Sequence, residues 1–195
     1  TEEEYKNLEP WIQWYSIHTG KKFEDHKVFR LGDAVEKDDK QIYELLEKRG
    51  KNVGAVSPMN ALNRLKKPAY FIPDPWTETE TDGSLFSKKY HEAISQTVND
   101  NSKGKISLSS LITVLFAFIF FSNKKRFFHY VSLAIGSIRA RWKKALFLDL
   151  LTNDIHMKLL RNKKPDFSEV FLNSGAHIQH HYFRNSEFYK FKEIQ

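Results

Sequence analysis

Three histidines lie within five positions near the carboxyl end of the chain, in the stretch SGAHIQHHY of residues 174–182. His177 and His181 are four residues apart, so a helix beginning here would bring both imidazoles to one face, as two ligands of one metal ion require. The zinc-protease pattern H-E-x-x-H is not matched, because Ile178 stands where that pattern has its glutamate. Spacing alone leaves two interpretations, a metal site or partly exposed histidines bonded to backbone and water, and it favours the second.

Apolar periodicity predicts the elements that would position these histidines. Ile42, Leu45 and Leu46 form one stripe of a helix that Asp38 or Asp39 can cap. Further along, the pattern predicts strands within residues 52–58, 69–76 and 167–173, and a helix over 141–160. The polar stretch TETETDGS, residues 77–84, is typical of a loop.

A helix followed by a buried strand occurs twice in this order, which predicts a layered α/β fold with a largely parallel sheet flanked by helices. In such sheets, binding sites collect beyond the carboxyl ends of the strands. His177 follows the last predicted strand by four residues. The fold class therefore puts the histidine cluster at the edge of the sheet where sites are expected.

The middle of the chain has a different composition. The net charge is +7, yet residues 101–148 alone hold nine basic and no acidic side chains. Within them, residues 106–122 form 17 uncharged positions flanked by lysines, which is short for a membrane span of about 20 residues. A helix lying on an anionic membrane surface and a helical insertion packed on the domain remain open. We assign residues 1–100 and 141–195 to one α/β domain and 101–140 to an apolar, basic helical insertion.

Several classes of protein lack support in this sequence. There is no cysteine, so disulfide frameworks and thiolate metal sites are excluded. No phosphate-binding loop, dinucleotide fingerprint or nucleophile elbow occurs. The lysines do not alternate with exposed aromatic residues as in nucleic-acid-binding modules, so no nucleic acid partner is expected. The chain starts at Thr1 without a basic-then-apolar leader, which favours a cytoplasmic or peripheral membrane location.

Two segments resemble one known family. EPWIQWYSIHTGKKFEDHKVFRLGD, residues 9–33, and KPDFSEVFLNSGAHIQHHY, residues 164–182, resemble the early and later segments of the alkaline-phosphatase-like superfamily, especially its type I phosphodiesterase and nucleotide pyrophosphatase branch. In that branch a helix follows the nucleophile, then Thr-Gly and, a few residues on, His-Gly. Thr19, Gly20 and His26 match, and His177 falls on the metal-ligand His of a later D-x-x-G-H.

The departures from the family pattern concern its chemistry. Pro10 stands at the nucleophile position, so neighbouring Glu9 is the remaining candidate for a catalytic role at the metal. Asn173 stands where the ligand Asp would be, and Lys27 replaces the second Gly. Because the family's first and last metal ligands would precede Thr1 and follow Gln195, the resemblance implies an internal fragment of a larger protein.

The resemblance implies a metal-dependent hydrolase or transferase of anionic esters, similar to phosphodiesterases, phosphatases and sulfatases. It implies a divalent ion, zinc or alternatively manganese, held by Asn173, His177 and His181, with Glu9 as the catalytic candidate and Thr19 at the substrate. Outside the resemblance, Trp76 is followed by hydroxyl side chains that suit a sugar or nucleotide, so it is a further candidate for substrate contact, with a packing role as the alternative. The expected partner is a small anionic ester or a glycan or lipid ester, with membrane contact through residues 101–148. The alternative is a catalytically degenerate member that binds anionic glycan or lipid head groups at a membrane surface.

Overall fold

A computed structural model of the protein describes residues 10–99, 107–140 and 142–182. Within these ranges, the side chains of Pro10, Trp11, Asn99, His177 and residues 180–182 are not described. Glu9 lies outside the described residues, and His177 and His181 are described by their backbone alone.

The chain begins with short helices that lead to the sheet. They are α1 (Pro10–Thr19), α2 (Phe23–His26), a 3-10 turn (Asp33–Glu36) and α3 (Ile42–Lys48). The predicted helix at 42–46 is confirmed, but the predicted cap at Asp38 or Asp39 is wrong. Gln41 is the N-cap, and its backbone N–H donates to the Glu44 carboxylate at 2.9 Å in a reciprocal capping box. The Asp39 carboxylate instead accepts hydrogen bonds from Lys21 and Tyr15.

In the described part of the chain, three short strands form one parallel sheet. They are β1 (Val53–Val56), β2 (Tyr70–Ile72) and β3 (Phe167–Val170), in the order β2-β1-β3. Gly54 of the central strand faces Tyr70 on one side and Ser168 on the other. The layered α/β fold with a parallel sheet is therefore confirmed, and each strand lies within a segment for which the sequence predicted one.

The longer helices follow β2. They are α4 (Leu85–Asn99), α5 (Leu108–Phe121), a 3-10 turn (Lys124–Arg126), α6 (Phe127–Gly136), α7 (Trp142–Lys163) and, after β3, α8 (Ser174–Tyr182). The helix predicted over 141–160 is confirmed as α7. α8 begins four residues after β3 ends, so the histidine stretch is helical.

Helices cover both faces of the sheet. On one face, Tyr43 of α3 packs with Ala55 and Phe71. On the other, Tyr70 and the buried residues of α4 and α7 form the larger apolar cluster. Because both faces are covered, β1 and β2 are buried at every position, as the uninterrupted apolar runs in their sequence indicated.

The apolar middle segment forms two helices at a sharp angle. α5 and the segment Lys124–Gly136 are bent by 113° at their junction. In the part of the chain that the structure describes, no single helix has the length and apolarity to cross a membrane, although this bent pair meets the criterion when taken together. Ala117 of α5 and Tyr130 of α6 are buried in the larger cluster, so one side of each helix packs on the domain.

Gly54 permits close contact between the central strand and the Tyr70 side chain. A Cβ atom at this position would lie 2.4 Å from Cζ of Tyr70. The Tyr70 hydroxyl is held by the Ser168 hydroxyl at 2.6 Å, so the ring cannot swing away without losing that bond.

We expect Gly54→Ala to lower the free energy of unfolding by about 1–3 kcal/mol, the usual cost of overpacking a close-packed core. Urea unfolding followed by circular dichroism measures this difference. Gly175→Ala is the matched control, because a Cβ there meets nothing within 4 Å and the position is helical. Equal stability of the Gly54→Ala variant and the wild type would contradict the packing described here.

Candidate active site at the carboxyl edge of the sheet

The three strands end at one edge of the sheet, at Val56, Ile72 and Val170. The segments that leave this edge are residues 57–60, 73–77 and 171–174. All three strands run parallel, so these segments are neighbours in space, in the same order as the strands. The edge formed by these three segments is called the carboxyl edge below.

Asn173 and the predicted histidines lie on a single helical path at this edge. Asn173 immediately precedes α8, and positions 177 and 181 follow it at steps of four residues. Steps of four bring residues to one face of a helix. The backbone therefore brings the three predicted metal ligands to one side of α8. The Asn173 side chain is half-buried.

An acidic residue not foreseen from the sequence lies beside the start of α8. Asp149 of α7 accepts a hydrogen bond from the backbone N–H of Ser174 at 2.6 Å. A carboxylate at a helix N-terminus satisfies a free N–H group and interacts favourably with the helix dipole. Asp149 thus fixes the first turn of α8 against α7. The two residues are 25 positions apart, so no local pattern could reveal the pair.

The direction of α1 follows from two contacts with β3 and its extension. His18, near the end of α1, lies 3.1 Å from a carboxylate oxygen of Glu169. Trp14, one turn earlier, makes an edge-on contact with Phe171, with ring centroids 5.5 Å apart. The residues nearer the start of α1 therefore contact residues nearer the end of β3. α1 runs antiparallel to β3, and its first turn, which Glu9 precedes in sequence, is directed to the carboxyl edge.

A buried polar cluster fixes this direction. The Tyr43 hydroxyl donates to Glu169 at 2.7 Å and lies 3.0 Å from Nε2 of His18. Because the hydroxyl hydrogen is used on Glu169, Nε2 of His18 must carry a hydrogen of its own. Burial raises the pKa of Glu169. The hydrogen bond and the electrostatic attraction to His18, together with the hydrogen bond from Tyr43, outweigh this effect, so the pKa of Glu169 lies below its ordinary value. Burial and the nearby Glu169 raise the pKa of Tyr43.

Thr19 lies at the opposite end of α1 from Pro10. Nine residues separate the two positions, a rise of about 13 Å along the helix. The Thr19 hydroxyl donates to the Tyr15 carbonyl at 2.8 Å and accepts from the Lys21 N–H at 3.3 Å. Its described contacts are therefore those of a helix end, and they do not bring it to the carboxyl edge. Its predicted contact with substrate stays a prediction.

Trp76 lies in the segment that follows β2. Its backbone N–H donates to the buried carboxylate of Asp74 at 2.7 Å, and its side chain is half-buried. Asp74 accepts three further bonds, from the backbone N–H groups of Asn60 and Thr77 and from the Thr77 hydroxyl, all at 2.7–2.8 Å. Burial raises the pKa of Asp74, and these bonds oppose the shift. Two strand spacings, about 10 Å, separate this segment from the one containing Asn173.

Asn60 joins the segments of the carboxyl edge to the early part of the chain. Its side-chain oxygen accepts from the Gly32 N–H at 2.9 Å, and its amide donates to the Arg30 carbonyl at 3.2 Å. Its backbone φ of 55° is in the left-handed region, which asparagine tolerates better than most residues. The connection from β1 to β2 contains no helix, and these bonds hold it in one conformation.

His26 and Lys27 end the second helix. Nδ1 of the buried His26 accepts from the Val28 N–H, and Nε2 lies 2.9 Å from the Ser16 hydroxyl. An accepting Nδ1 carries no hydrogen, so the ring fits the site in its neutral form. Burial lowers the pKa of His26. Lys27 has a φ of 55° and caps α2 in the left-handed conformation typical of glycine.

The metal donors are only partly described. Among the side chains with described positions, no three His, Asp or Glu residues come close enough to hold an ion. Asn173, His177 and His181 are the predicted ligands, and their backbone positions follow one another at steps of four residues. The metal site that they would form stays a prediction.

No family model, no curated protein and no solved structure matches this chain. The family membership suggested by residues 9–33 and 164–182 therefore stays a proposal.

Because His26 is neutral in the folded protein, the free energy of unfolding depends on pH. Its pKa in the folded protein lies below the ordinary 6.5, so the unfolded chain binds more protons at this position and stability falls as the pH drops below about 6.5. We expect His26→Asn, whose amide oxygen can accept from Val28, to lose less stability than the wild type between pH 7.5 and 5.5. Urea midpoints at the two pH values measure this. His156, whose pKa burial also lowers, accounts for a remaining dependence.

The control for this experiment is His129→Asn, because His129 is exposed. This variant should keep the whole acid dependence of the wild type. An acid dependence that is equally strong in His26→Asn would contradict a lowered pKa, because His26 would then bind protons equally well in the folded and the unfolded chain.

We expect Lys27→Gly to raise the free energy of unfolding by about 0.5–1 kcal/mol, because glycine adopts the left-handed conformation without strain. The gain is reduced by loss of the Lys27 ammonium over the Phe23 ring, at 5.8 Å. Lys88→Gly serves as the comparison, since exposed Lys88 lies inside α4 in an ordinary helical conformation and its replacement should lower stability. Urea unfolding distinguishes the two signs, and a loss in both variants would contradict this account.

Proposed function

We propose that this protein is a divalent-metal-dependent hydrolase, or transferase, of anionic esters, with its site at the carboxyl edge near β3. The observation that carries the proposal is the convergence of two segments that are far apart in sequence. α1 contacts this edge through Trp14 and Phe171, with its start directed toward the edge, and the Asn173–α8 junction follows β3 directly. These are the two segments that resemble the alkaline-phosphatase-like superfamily.

Backbone conformation gives the resemblance further support. The family has glycine at the positions of Gly20 and Lys27. Here the φ angles are 71° and 55°, both in the left-handed region that favours glycine. Lys27 retains this backbone geometry despite its side chain. Both positions follow a helix, where this conformation is common, so the agreement is consistent with the resemblance but not specific to it.

Asn173, His177 and His181 would hold the ion, zinc or alternatively manganese. A bound divalent ion would act as a Lewis acid on an ester oxygen of a phosphate or sulfate. Asp149 has a positioning role, because its bond to Ser174 fixes the turn from which the ligands follow. Asn173 is neutral, so it would bind a divalent ion more weakly than an aspartate.

The chain's own residues suit an anionic ester in two further respects. The net charge of +7 attracts anions over a distance. Trp76, across the sheet edge from Asn173, offers a partly exposed ring to a sugar or base, while Asp74 fixes the segment that carries it. Pro10 occupies the family's nucleophile position, and Glu9, the residue before it, is the neighbouring carboxylate that could take a catalytic role.

A second candidate is a family member that binds anionic head groups without hydrolysing them. Two residues favour it. Pro10 has no nucleophile, and Asn173 contributes no charge to a metal. Either protein would bind metal or anion at the same edge, and they differ only in turnover.

Metal binding is tested by calorimetric titration of the chain with Zn²⁺ and with Mn²⁺. We expect one class of site, with an affinity that falls more than about 100-fold in His177→Ala and in His181→Ala. Removing a metal ligand should weaken binding more than removing a residue that only hydrogen-bonds to a ligand. Glu24→Ala removes an exposed carboxylate of α2, outside the carboxyl edge and its cleft, and should bind as the wild type does. Absence of binding, or equal binding by all four proteins, would overturn the proposal.

Turnover then separates the two candidates. Aryl phosphate, phosphodiester and sulfate substrates are incubated with the metal-loaded protein, its Glu9→Gln variant and its His177→Ala variant. Metal-dependent release that requires Glu9 supports the hydrolase. Metal binding without release of product from any substrate supports the degenerate member.

A further inference from the structure

The exposed side of the α5–α6 pair is apolar. On α5 the buried or half-buried residues follow one stripe, from Ser110 through Ala117 to Phe121, and pack on the larger cluster. The opposite side is exposed and holds no charge. Its large apolar residues, between 45% and 72% exposed, are Leu108, Leu111, Ile112, Leu115, Phe116, Ile119 and Phe120.

α6 continues this exposure beyond the bend. Phe128 is 82% exposed and Ile135 64% exposed, with Phe127 and Val131 also exposed. Summed over the two helices, the eleven residues expose on the order of 1,000 Å² of apolar surface, a large amount beside the few hundred Å² typical of exposed apolar patches on soluble monomers. These eleven residues are called the apolar face.

Basic residues lie at the ends of both helices. Exposed Lys124 and Lys125 occupy the α5–α6 junction, and exposed Arg139 and Lys144 follow α6. The nine basic side chains of residues 101–148 have no acidic neighbour in that range. A second copy of this chain would therefore bring like charges together, whereas an anionic lipid surface complements them.

The pair is fixed to the domain independently of any partner. Asp154 of α7 accepts bonds from the backbone N–H of Asn123 at 2.7 Å, from the Tyr130 hydroxyl at 2.8 Å and from the Arg126 guanidinium at 2.9 Å. These three donors all belong to the α5–α6 junction or to α6. The apolar face is therefore held in place, and Arg126 is already paired with the domain.

We propose that the apolar face rests in the interfacial layer of an anionic membrane, with Lys124, Lys125, Arg139 and Lys144 at the lipid head groups. The 14 residues of α5 extend about 21 Å, less than the 30 Å of a hydrocarbon core, so α5 lies along the surface. This attachment does not depend on the proposed enzymatic function.

The membrane side adjoins the candidate site. Residues of α6 and α7, including His129 and Asp149, line a cleft of about 580 Å³ together with Leu172 and Ser174 of the carboxyl edge. A head group at the α6 side of the cleft would lie next to the segment containing Asn173. Docking through the apolar face thus brings the carboxyl edge near lipid.

The test is flotation of the full chain with vesicles of phosphatidylcholine alone and with about one third phosphatidylglycerol. We expect binding to the anionic vesicles that weakens as salt rises from 0.1 to 0.5 M. The double variant Lys124→Gln/Lys125→Gln should bind roughly 30-fold more weakly, the equivalent of about 1 kcal/mol per lysine. Lys66→Gln/Lys67→Gln makes the same charge change at exposed positions outside 101–148 and should bind as the wild type does.

A second variant tests the apolar contribution. Leu111→Ser/Leu115→Ser/Ile119→Ser removes exposed side chains and should retain the wild-type circular dichroism while weakening flotation about tenfold or more. Ile17→Ser/Leu85→Ser, at exposed apolar positions on other helices, is its control. Three outcomes would each overturn the proposal. They are absence of flotation, flotation that does not depend on lipid charge, and a dimer in the absence of lipid that becomes monomeric in the triple serine variant. Because none of these variants alters a predicted metal ligand, the outcome is independent of the metal titration.

Discussion

The three parallel strands found among the described residues must be covered on both faces of their sheet, and this requirement organises the described part of the molecule. Every residue of β1 and β2 is buried, so the backbone has no access to water and the strands depend on flanking helices for their stability. α1 and α3 supply one cover, and α4 and α7 the other. Since the strands are parallel, the connections return across these covers, and every segment that leaves the sheet does so at the same edge.

Hydrogen-bonded carboxylates fix these helices and the connecting segments to the sheet and to one another. Glu169 bonds β3 to α1 and α3, Asp74 closes the segment after β2, and Asp154 joins α7 to the α5–α6 junction. Each accepts two or more hydrogen bonds, which offsets the cost of burying its charge. Apolar packing brings the layers together, and these directional bonds select one arrangement among those with similar apolar contact.

The sequence indicated those features that local pattern determines. Short apolar runs bounded by proline or polar residues predicted the strands, and three- and four-residue spacing predicted α7. The fold class followed from their order. The N-cap of α3 was missed because Asp38 and Asp39 have the preferred residue type, whereas Gln41 has its Glu44 partner three residues later.

Long-range geometry was beyond the reach of pattern. The pairing of Asp149 with Ser174 and the antiparallel course of α1 along β3 join residues separated by 25 or more positions. The apolar segment 106–122 was ambiguous for a different reason: a helix that is apolar all round gives no periodic signal of which side is covered. For the proposed site, the candidate residues came from the sequence, whereas the position of Asn173 after β3 and the direction of α1 toward the same edge are visible only in the fold.

The two-sided character of α5 has a thermodynamic consequence. One side of this helix contributes Ala117 to the same cluster that supports the sheet, and Asp154 ties its end to α7. A ligand that covers the other side of α5 in the folded protein, and does not bind the unfolded chain, stabilises the folded ensemble by linkage. Binding at the exposed side of α5 and folding of the domain are then coupled equilibria, so the melting temperature of the protein reports on that binding.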